Sequence, residues 1–368
     1  MKIAILTQPL RANYGGILQN YALQQVLINL GHEPITIEKD LHQYISLSKL
    51  IIELPKRIFT KYFLRKRKYI FSEKAYNRWL DSLYFDQIVQ FVKSRITHRY
   101  VSNFYVLNLT EFDAFLVGSD QIWRPIYNHG YIDKMFLSFI PKDNPIKRIA
   151  YAASFGAAEW EFSNEQTATC KELAHRFDAI SVREDNGVVL CKNYLNVDAT
   201  HVLDPTLLLD KEHYCKLCAN IPNERGYLCA YILDPTDDDK IRLEEIATSK
   251  GLKLKLCSAE IYCTQSIEEW IAMFRDAEIV ITNSFHGTIF SIIFNKEFYC
   301  RMHIDRGSGR IPSLFRQLNI TQERIVTTLS EVMNNTCILH WDTINNRIRE
   351  LQQQSITFIE IHLLKNKS

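Results

Sequence analysis

The sequence has no long hydrophobic run. None of its uninterrupted apolar segments approaches the roughly 20 residues that a membrane-spanning helix requires. The opening stretch MKIAILT is typical of a β-strand and lacks the longer apolar region of a secretory signal peptide. From these absences we expect a cytoplasmic protein.

Cysteine is missing from the first part of the chain. No cysteine precedes Cys170, and the total of nine is odd, which favours buried, reduced thiols over a disulfide framework. Cys215 and Cys218 have the CxxC spacing of a zinc site, and His213 is nearby, but a second pair of ligands is missing. We therefore predict no metal site.

An excess of charge of either sign is also lacking. The chain has 44 Lys and Arg against 42 Asp and Glu, and the net charge of +2 gives no global attraction to nucleic acid. The glycine pair after the first strand fits neither GxGxxG nor GxxxxGK[ST], and no GxSxG elbow is present. At 368 residues the chain exceeds one typical core, so we expect two domains.

Apolar strands alternate with helical segments over most of the chain. A strand at 2–7, an amphipathic helix at 17–30 and a strand at 34–38 form an opening βαβ unit, which implies a parallel sheet. A second series starts after the turn Asp204-Pro205-Thr206. We therefore predict an α/β fold of two Rossmann-like domains. Their expected ranges are residues 1–205 and 206–340, with a C-terminal helix at 341–365 that crosses back to the first domain.

A predicted helical insertion, at about residues 41–100, interrupts the first series. It contains the basic run KRIFTKYFLRKRK from Lys56 to Lys68. As a helical arm, this run would pack its aromatic rings on the main body and keep its charges in water. Alternatively, it would contact anionic lipid headgroups at the inner face of the membrane, as basic amphipathic helices do. No nucleic-acid-reading motif accompanies the charge, so nucleic acid is not an expected partner.

Polar clusters directly follow most of the apolar strands. Parallel strands share one carboxyl edge, where ligands bind in open α/β sheets, so two facing domains would place these clusters around one cleft. The alternative is that turns are polar and small everywhere, which accounts less well for Trp123, Arg183 and His286. The clusters occupy residues 7–16, 118–123, 154–156, 183–185 and 283–287.

The stretch from Glu278 to Phe298 is the most informative of these. Its pattern predicts a strand to Thr282, a turn at 283–287 and a buried helix from Thr288 to Phe294. The free N–H groups and the dipole at a helix start suit a phosphate group. An ordinary strand-to-helix connection with an incidental histidine is the alternative.

Six motifs, in a fixed order, carry a family resemblance: NYGG-ILQNYALQ from Asn13, GSDQIW from Gly118, YAASFG from Tyr151, SVRE from Ser181, DPTLLL from Asp204 and TNSFHGT from Thr282. Together they resemble the polysaccharide pyruvyl transferase family over about residues 1–315. The resemblance implies a GT-B-like fold, with two Rossmann-like domains facing across a cleft. It also implies transfer of the pyruvyl group of phosphoenolpyruvate to two hydroxyls of a saccharide as a cyclic ketal. Phosphate is released, and no cofactor is needed.

The resemblance also assigns roles to individual residues. His286 matches the family's catalytic histidine, Asp120 matches an acidic position, and Arg183 matches a donor-site arginine. The family has an arginine two positions before the histidine, where this chain has Ser284. We expect Arg306 and Arg310 to replace that arginine, although both could instead be solvated loop residues.

The chemistry of the donor fits these residue types. Phosphoenolpyruvate carries a phosphate and a carboxylate, which arginine binds in pairs of hydrogen bonds. His286 would act as the general acid, and Asp120 as a base or, alternatively, as a helix cap. Ser119, Ser284, Gly287 and Thr288 complete the predicted donor site. The predicted acceptor-binding residues are Tyr14, Gly15, Gln121, Trp123 and Ser154.

Several alternatives remain open at this point. Tyr14 and Trp123 could pack in the core instead of stacking on a sugar. The chain could be a nucleotide-sugar glycosyltransferase of the same architecture, or a non-catalytic saccharide-binding protein. If the saccharide acceptor is lipid-linked, the run from Lys56 to Lys68 gains a purpose as a membrane contact.

Overall fold

The computed structural model describes residues 1–11, 13–39, 54–58, 61, 86–258, 265–302 and 309–364. Their strands form two sheets, in which all neighbouring strands pair in parallel. The first sheet has seven strands in the order β3-β2-β1-β4-β5-β6-β7, which is the Rossmann order with a strand added. The strands are β1 (Lys2–Leu6), β2 (Glu33–Lys39), β3 (His98–Val101), β4 (Ala114–Val117), β5 (Lys147–Ala153), β6 (Ala179–Val182) and β7 (Thr200–His201).

The second sheet has five strands in the order β12-β11-β10-β8-β9. From the other edge this is the flavodoxin-like order 2-1-3-4-5. The interior strands AFLV of β4 and YLCAY of β8 are buried at every position, as expected when helices cover both faces of a parallel sheet. The predicted α/β fold class, with two Rossmann-like units, is confirmed. The strands are β8 (Tyr227–Tyr231), β9 (Lys253–Cys257), β10 (Ile279–Thr282), β11 (Glu297–Arg301) and β12 (Ile325–Val326).

Capping side chains explain where several helices begin. Ser266 caps a helix whose third position is Glu269, and each side chain binds the other's backbone N–H, as the sequence predicts. The same capping box joins Ser163 to Gln166 and Thr236 to Asp239. The helices are α1 (Tyr14–Asn29), α2 (Asp86–Arg95), α3 (Asn164–Ala174), α4 (Asp185–Leu190), α5 (Lys211–Leu217), α6 (Asp237–Ser249), α7 (Ile267–Asp276), α8 (Phe285–Ile293), α9 (Arg310–Leu318), α10 (Ser330–Asn334) and α11 (Trp341–Leu363).

Helix α1 is buried on nearly every side, whereas the sequence predicts an amphipathic helix. Its polar residues are tied to the first sheet: Gln19 donates to the Thr7 hydroxyl at 2.8 Å, and Gln24 donates to the Thr36 hydroxyl at 2.8 Å. Its other side meets the second unit, where Tyr14 stacks on Trp270 of α7 with ring centroids 5.4 Å apart. Satisfied hydrogen bonds allow the polar residues of a central helix to be buried.

Helix α11 follows the second sheet in the chain and contacts the first. The Leu203 N–H donates to the Ser355 hydroxyl at 3.1 Å, and Lys147 donates to the carbonyl of His362 at 3.1 Å. One hydrophobic cluster therefore runs through both units, and includes Ile5 of β1 and Phe290 of α8.

The predicted helical insertion is described only in part. The expected range of about 41–100 ends where strand β3 pairs with β2. Most of the basic run from Lys56 to Lys68 lies outside the described residues. In the described part of the chain, none of the helices combines the length and the apolar character that crossing a membrane requires.

Candidate active site

A cluster of buried charged residues lies where the carboxyl ends of the two sheets meet. Asp120 follows β4, Arg183 follows β6, and Asp204 follows β7 in the first unit. His286 follows β10 in the second unit. The structure thus brings together three of the predicted site residues with Asp204, which the sequence analysis treats as a domain junction.

Arg183 is the centre of this cluster, and its side chain is only 1% exposed. Its guanidinium lies 2.9 Å from Asp204 Oδ2, 3.1 Å from Glu184 Oε1 and 3.7 Å from Asp120 Oδ1. The group also lies over the ring of Phe285, 4.3 Å from the centroid. Burial alone would lower the pKa of Arg183, but the three carboxylates raise it above its usual range. These acids surround Arg183, so the arginine holds the cluster together. Its guanidinium is not exposed in the way that the predicted role in donor binding requires.

Asp204 links Arg183 to His286. Its Oδ1 accepts hydrogen bonds from the backbone N–H and the hydroxyl of Thr206, at 2.9 and 2.6 Å. Its Oδ2 faces Arg183 and lies 3.6 Å from His286 Nε2, a contact longer than a hydrogen bond. Burial alone would raise the pKa of Asp204, but His286, Arg183 and Thr206 hold it well below its usual range. Asp204 is therefore an ionised partner for the histidine.

Helix α8 begins at Phe285, three residues earlier than predicted. Its cap is Ser284, whose hydroxyl accepts from the Gly287 N–H at 3.3 Å. The hydroxyl of Thr288 donates to the carbonyl of Ser284 at 2.9 Å. Ser284, Gly287 and Thr288 thus form hydrogen bonds with one another. The Gly287 N–H is therefore not available to bind the phosphate, although the sequence analysis predicts that it would be. His286 lies in the first turn of the helix instead of in a loop.

Gly15 allows α1 to approach His286. A Cβ atom at Gly15 would lie 2.0 Å from His286 Nδ1, which no side chain could tolerate without movement. The sequence predicts a close approach of this glycine to a ligand. In the structure the glycine makes room for the histidine, and His286 is 7% exposed.

Asp120 lies in a loop whose backbone is strained. Its φ of 55° is in the left-handed region, which is uncommon for a residue with a side chain. The preceding Ser119 is buried and fixes the loop: its N–H donates to Gln19 Oε1 at 3.0 Å and its hydroxyl donates to the carbonyl of Ala152 at 2.8 Å. Asn13, the cap of α1, donates to Asp120 Oδ2 at 3.4 Å. These bonds direct the Asp120 carboxylate towards the start of α1.

The predicted acceptor-binding aromatics are packed. Trp123 is fully buried, stacks on Phe136 at 4.6 Å, and donates to the carbonyl of Met135. Tyr14 is 2% exposed, and its hydroxyl donates to the carbonyl of Gln265 at 2.7 Å. Neither ring offers a face to a sugar, so their predicted stacking role is wrong and the alternative, packing in the core, holds.

The two other predicted acceptor residues lie beside the cluster. The Ser154 hydroxyl donates to Glu184 Oε1 at 2.8 Å and is buried. Gln121 is half-buried and accepts from Arg124 at 3.2 Å. Glu184 and Asp204 are the site residues that sequence reasoning missed, although both lie in motifs, SVRE and DPTLLL, that carry the resemblance.

A sequence model of the polysaccharide pyruvyl transferase family matches residues 13–303. The chain belongs to this family. The predicted resemblance is confirmed, and it indicates a pyruvyltransferase that acts on a polysaccharide. A search of curated protein sequences found no significant match to this pyruvyl transferase family member.

Two solved structures are similar to this pyruvyl transferase family member over nearly their whole length. UGT89C1 of Arabidopsis thaliana, complexed with UDP, is 10% identical, with 98% of this chain and 99% of that chain covered and a TM-score of 0.48. The UDP-GlcNAc 2-epimerase of Methanocaldococcus jannaschii is 11% identical, with 98% and 99% covered and a TM-score of 0.41.

The two arginines predicted to replace the family arginine at Ser284 are placed unequally. Arg306 lies outside the described residues. Arg310 is half-buried at the start of α9, with its guanidinium carbon 5.8 Å from the Phe285 ring centroid. Burial and the neighbouring cation Arg183 lower the pKa of Arg310. Within the described ranges, no group of His, Cys, Asp and Glu is arranged to hold a metal ion.

Proposed function

We propose that this protein transfers the pyruvyl group of phosphoenolpyruvate to two hydroxyls of a saccharide in the biosynthesis of a surface polysaccharide. The observation that carries this proposal is the contact between His286 and the ionised Asp204, inside a buried cluster to which both units contribute. The family match over residues 13–303 supports the transfer of a pyruvyl group.

The proposed reaction begins at the enol phosphate of the donor. A proton adds to the methylene carbon, and the oxygen of the first sugar hydroxyl bonds to the central carbon as that hydroxyl loses its proton. The second hydroxyl then bonds to the same carbon while the carbon–oxygen bond to phosphate breaks. One hydroxyl proton is balanced by the new methyl group and the other by the released phosphate, so no oxidant or reductant is needed.

The cluster contains groups suited to these steps. His286 would supply the proton to carbon, with Asp204 orienting its ring. Asp120 would accept the proton of an acceptor hydroxyl. Arg183 would act as a positioning residue, because its guanidinium fixes the carboxylates of both Asp120 and Asp204.

The anionic donor also needs positively charged groups that bind its phosphate and its carboxylate. Arg310 lies at the edge of the cluster and is half-buried, so it would bind the phosphate or the carboxylate of phosphoenolpyruvate. From the sequence alone we also propose Arg306, which lies outside the described residues, as a second donor-binding arginine.

The decisive experiment measures phosphate release from phosphoenolpyruvate with a panel of saccharide acceptors. We expect release only with a suitable acceptor, and loss of that release in His286→Ala by roughly 100-fold or more. His175→Ala is the matched control, because His175 is exposed at the end of α3, and it should retain full activity.

Both variants should have the circular dichroism spectrum of the wild type, so that lost activity reports chemistry and not unfolding. Unchanged phosphate release by His286→Ala would overturn the proposal. Binding of a nucleotide sugar, together with indifference to phosphoenolpyruvate, would identify the protein as a glycosyltransferase instead.

A further inference from the structure

Helix α9 belongs to the second unit, but one of its sides contacts the first unit beside the charged cluster. A Cβ atom at Gly309, the residue before the helix, would lie 3.7 Å from the Cβ of Ala158. One turn further on, the Ser313 hydroxyl accepts from the backbone N–H of Asp185 at 2.9 Å. After another turn, Arg316 forms an ion pair with the Asp185 carboxylate at 2.7 Å. The contact thus continues along the helix from its start.

Asp185 is fixed by these contacts, and both of its carboxylate oxygens are occupied. Oδ2 accepts from Arg316 Nε at 2.7 Å, and Oδ1 accepts from the Asn186 N–H at 2.7 Å. Burial alone would raise the pKa of Asp185, but Arg316 and the hydrogen bonds lower it. Asp185 is therefore an ionised partner with a set orientation towards α9.

The hydrogen bond between Asp185 and Ser313 also caps α4 from the second unit. Asp185 is the first residue of α4, and Glu184, at the cap position, makes no side-chain capping bond to the residues that the structure describes. The Glu184 carboxylate binds Arg183 and Ser154 in the charged cluster instead. Because the first N–H groups of a helix need partners from outside it, the buried Ser313 hydroxyl takes that place.

These contacts lie beside Arg310, the first residue of α9. Its guanidinium carbon lies 5.8 Å from the ring centroid of Phe285, and that of Arg183 lies 4.3 Å from the same centroid. Burial and the nearby Arg183 lower the pKa of Arg310, against the opposite effect of Glu184 and Asp120. Charges of the first unit therefore act on Arg310, although Arg310 itself belongs to the second unit.

The place of Arg310 relative to the cluster depends on how α9 contacts the first unit. Arg310, Ser313 and Arg316 are three residues apart, so they are neighbours on one side of the helix. Fixing the later two on Asp185 sets the direction of α9 and the place of its first residue. Asp185 directly follows Arg183 and Glu184 in the chain, so one segment carries the centre of the cluster and sets the distance to Arg310.

We propose that Asp185 is a positioning residue of the donor site. It holds α9 against the first unit through Arg316 and Ser313, and so places Arg310 for binding of the anionic donor. Asp185 acts through Arg310 and does not itself contact the donor. The donor-binding role of Arg310 rests on the proposed function, whereas the attachment of α9 to Asp185 follows from the contacts between them.

The ion pair between Asp185 and Arg316 can be broken without unfolding the protein. The Arg316 and Asp185 side chains are 54% and 37% exposed, and such pairs contribute little to stability. Thermal unfolding of each variant checks that it is folded. A change in donor binding then reports the placement of Arg310.

The first test measures the dissociation constant of phosphoenolpyruvate by titration calorimetry on the full-length protein, without an acceptor. Arg316→Glu places a second carboxylate beside Asp185 and should raise this constant roughly fivefold. Asp185→Asn removes the attraction alone and should raise it about threefold, whereas Arg316→Lys keeps the charge and should stay within about twofold of the wild type. Arg242→Glu is the matched control, because it makes the same change of charge at an exposed arginine that pairs with Glu245 inside α6. It should bind as the wild type does.

A double-mutant cycle tests whether Arg316 acts through Arg310. Arg310→Ala alone should raise the dissociation constant roughly tenfold or more, because charge-assisted hydrogen bonds to the donor are lost. In that background Arg316→Glu should add almost nothing, since the group that α9 places is gone. An equal effect of Arg316→Glu in both backgrounds would overturn the proposal, because a merely structural role does not depend on Arg310.

Phosphate release separates this inference from the proposed function. Arg316→Glu should raise the KM for phosphoenolpyruvate and leave kcat unchanged, as expected for a contact made equally before and in the transition state. Donor binding and KM that are indifferent to Arg316→Glu would reject the role of Asp185 and leave the reaction intact. Binding that depends on Arg316 and Arg310, in a protein that never releases phosphate, would support Asp185 and reject the reaction. A wild type that does not bind phosphoenolpyruvate would overturn both.

Discussion

Asp204 and Glu38 are both buried carboxylates near the carboxyl edge of the first sheet, but their surroundings differ. Asp204 is surrounded by donors, with Arg183, His286 and Thr206 within reach of its two oxygens. Glu38 has one backbone donor, the Leu10 N–H, among the described residues. The pKa of Asp204 is therefore lowered, whereas the pKa of Glu38 is raised.

This difference separates two kinds of site. The donors around Asp204 come from the protein itself, so the carboxylate is fixed and can orient the histidine beside it. One oxygen of Glu38 has no partner among the described residues, so that carboxylate is held less firmly than Asp204. Environments that push the pKa values of similar groups apart commonly mark groups with different roles.

The largest expected effect follows from removing Arg183, the cation beside Asp204. Arg183→Met leaves Asp120, Glu184 and Asp204 buried together without their partner. We expect the free energy of unfolding to fall by about 3–5 kcal/mol, measured by urea denaturation.

Arg242→Met is the control for this loss. Arg242 pairs with Glu245 on the surface of α6, where solvent screens the interaction, so little change is expected. If the two variants lost similar stability, the buried cluster would not be the source of the effect.

A smaller change isolates the contact between Asp204 and His286. Asp204→Asn keeps the shape of the side chain and removes its charge. We expect kcat for phosphate release to fall by roughly 100-fold, because the ring of His286 loses the group that orients it. The KM for phosphoenolpyruvate should change much less, since Asp204 is buried away from solvent.

The matched control is Asp198→Asn, at an exposed aspartate that pairs with Lys192. It should retain the wild-type kcat. A kcat of Asp204→Asn equal to that of the control would remove Asp204 from the mechanism, provided that both proteins are folded.

The smallest expected effect is the contribution of Glu38 to the pH dependence of stability. The raised pKa means that the folded protein keeps the Glu38 proton to higher pH than the unfolded chain, whose pKa is about 4.3. As pH rises from that value through the folded pKa, this group lowers the free energy of unfolding. The depressed pKa of Asp204 acts in the opposite sense, because its contribution is lost as pH falls.

Glu38→Gln removes this titration without removing the side chain. The variant should therefore gain stability relative to the wild type as pH rises from about 4 towards neutrality. Urea denaturation of both proteins at several pH values measures the difference. A difference that stays constant with pH would show that Glu38 has no shifted pKa.

The sequence is enough to predict the sheets, because buried parallel strands are continuous apolar runs such as AFLV and the turns after them are polar. It also selects His286, since a histidine at the end of a strand and the start of a helix is conspicuous. The predicted start of α8 is wrong by three residues because Ser284 caps the helix. In the sequence, a capping serine has no pattern that separates it from a serine in a turn.

Other site features depend on contacts between distant residues. From the sequence, Asp204 is predicted to be part of an Asp-Pro turn. Its role in the site follows only from its contacts with Arg183 and His286. Trp123 is a plausible sugar-binding residue until tertiary packing places its ring in the core against Phe136. Glu38 stands out only once the fold shows that one of its oxygens has no partner in the described part of the chain.

The hydrophobic cluster that runs through both units limits how the protein admits its substrates. A rigid-body hinge motion that parted the units would pull Tyr14 away from Trp270 and expose apolar surface, at a cost of about 25 cal/mol for each Å². Smaller movements of the loops at the carboxyl edges avoid this cost while α1 stays in place. Turnover would then depend on loop motion, with the interlocked core acting as a fixed frame.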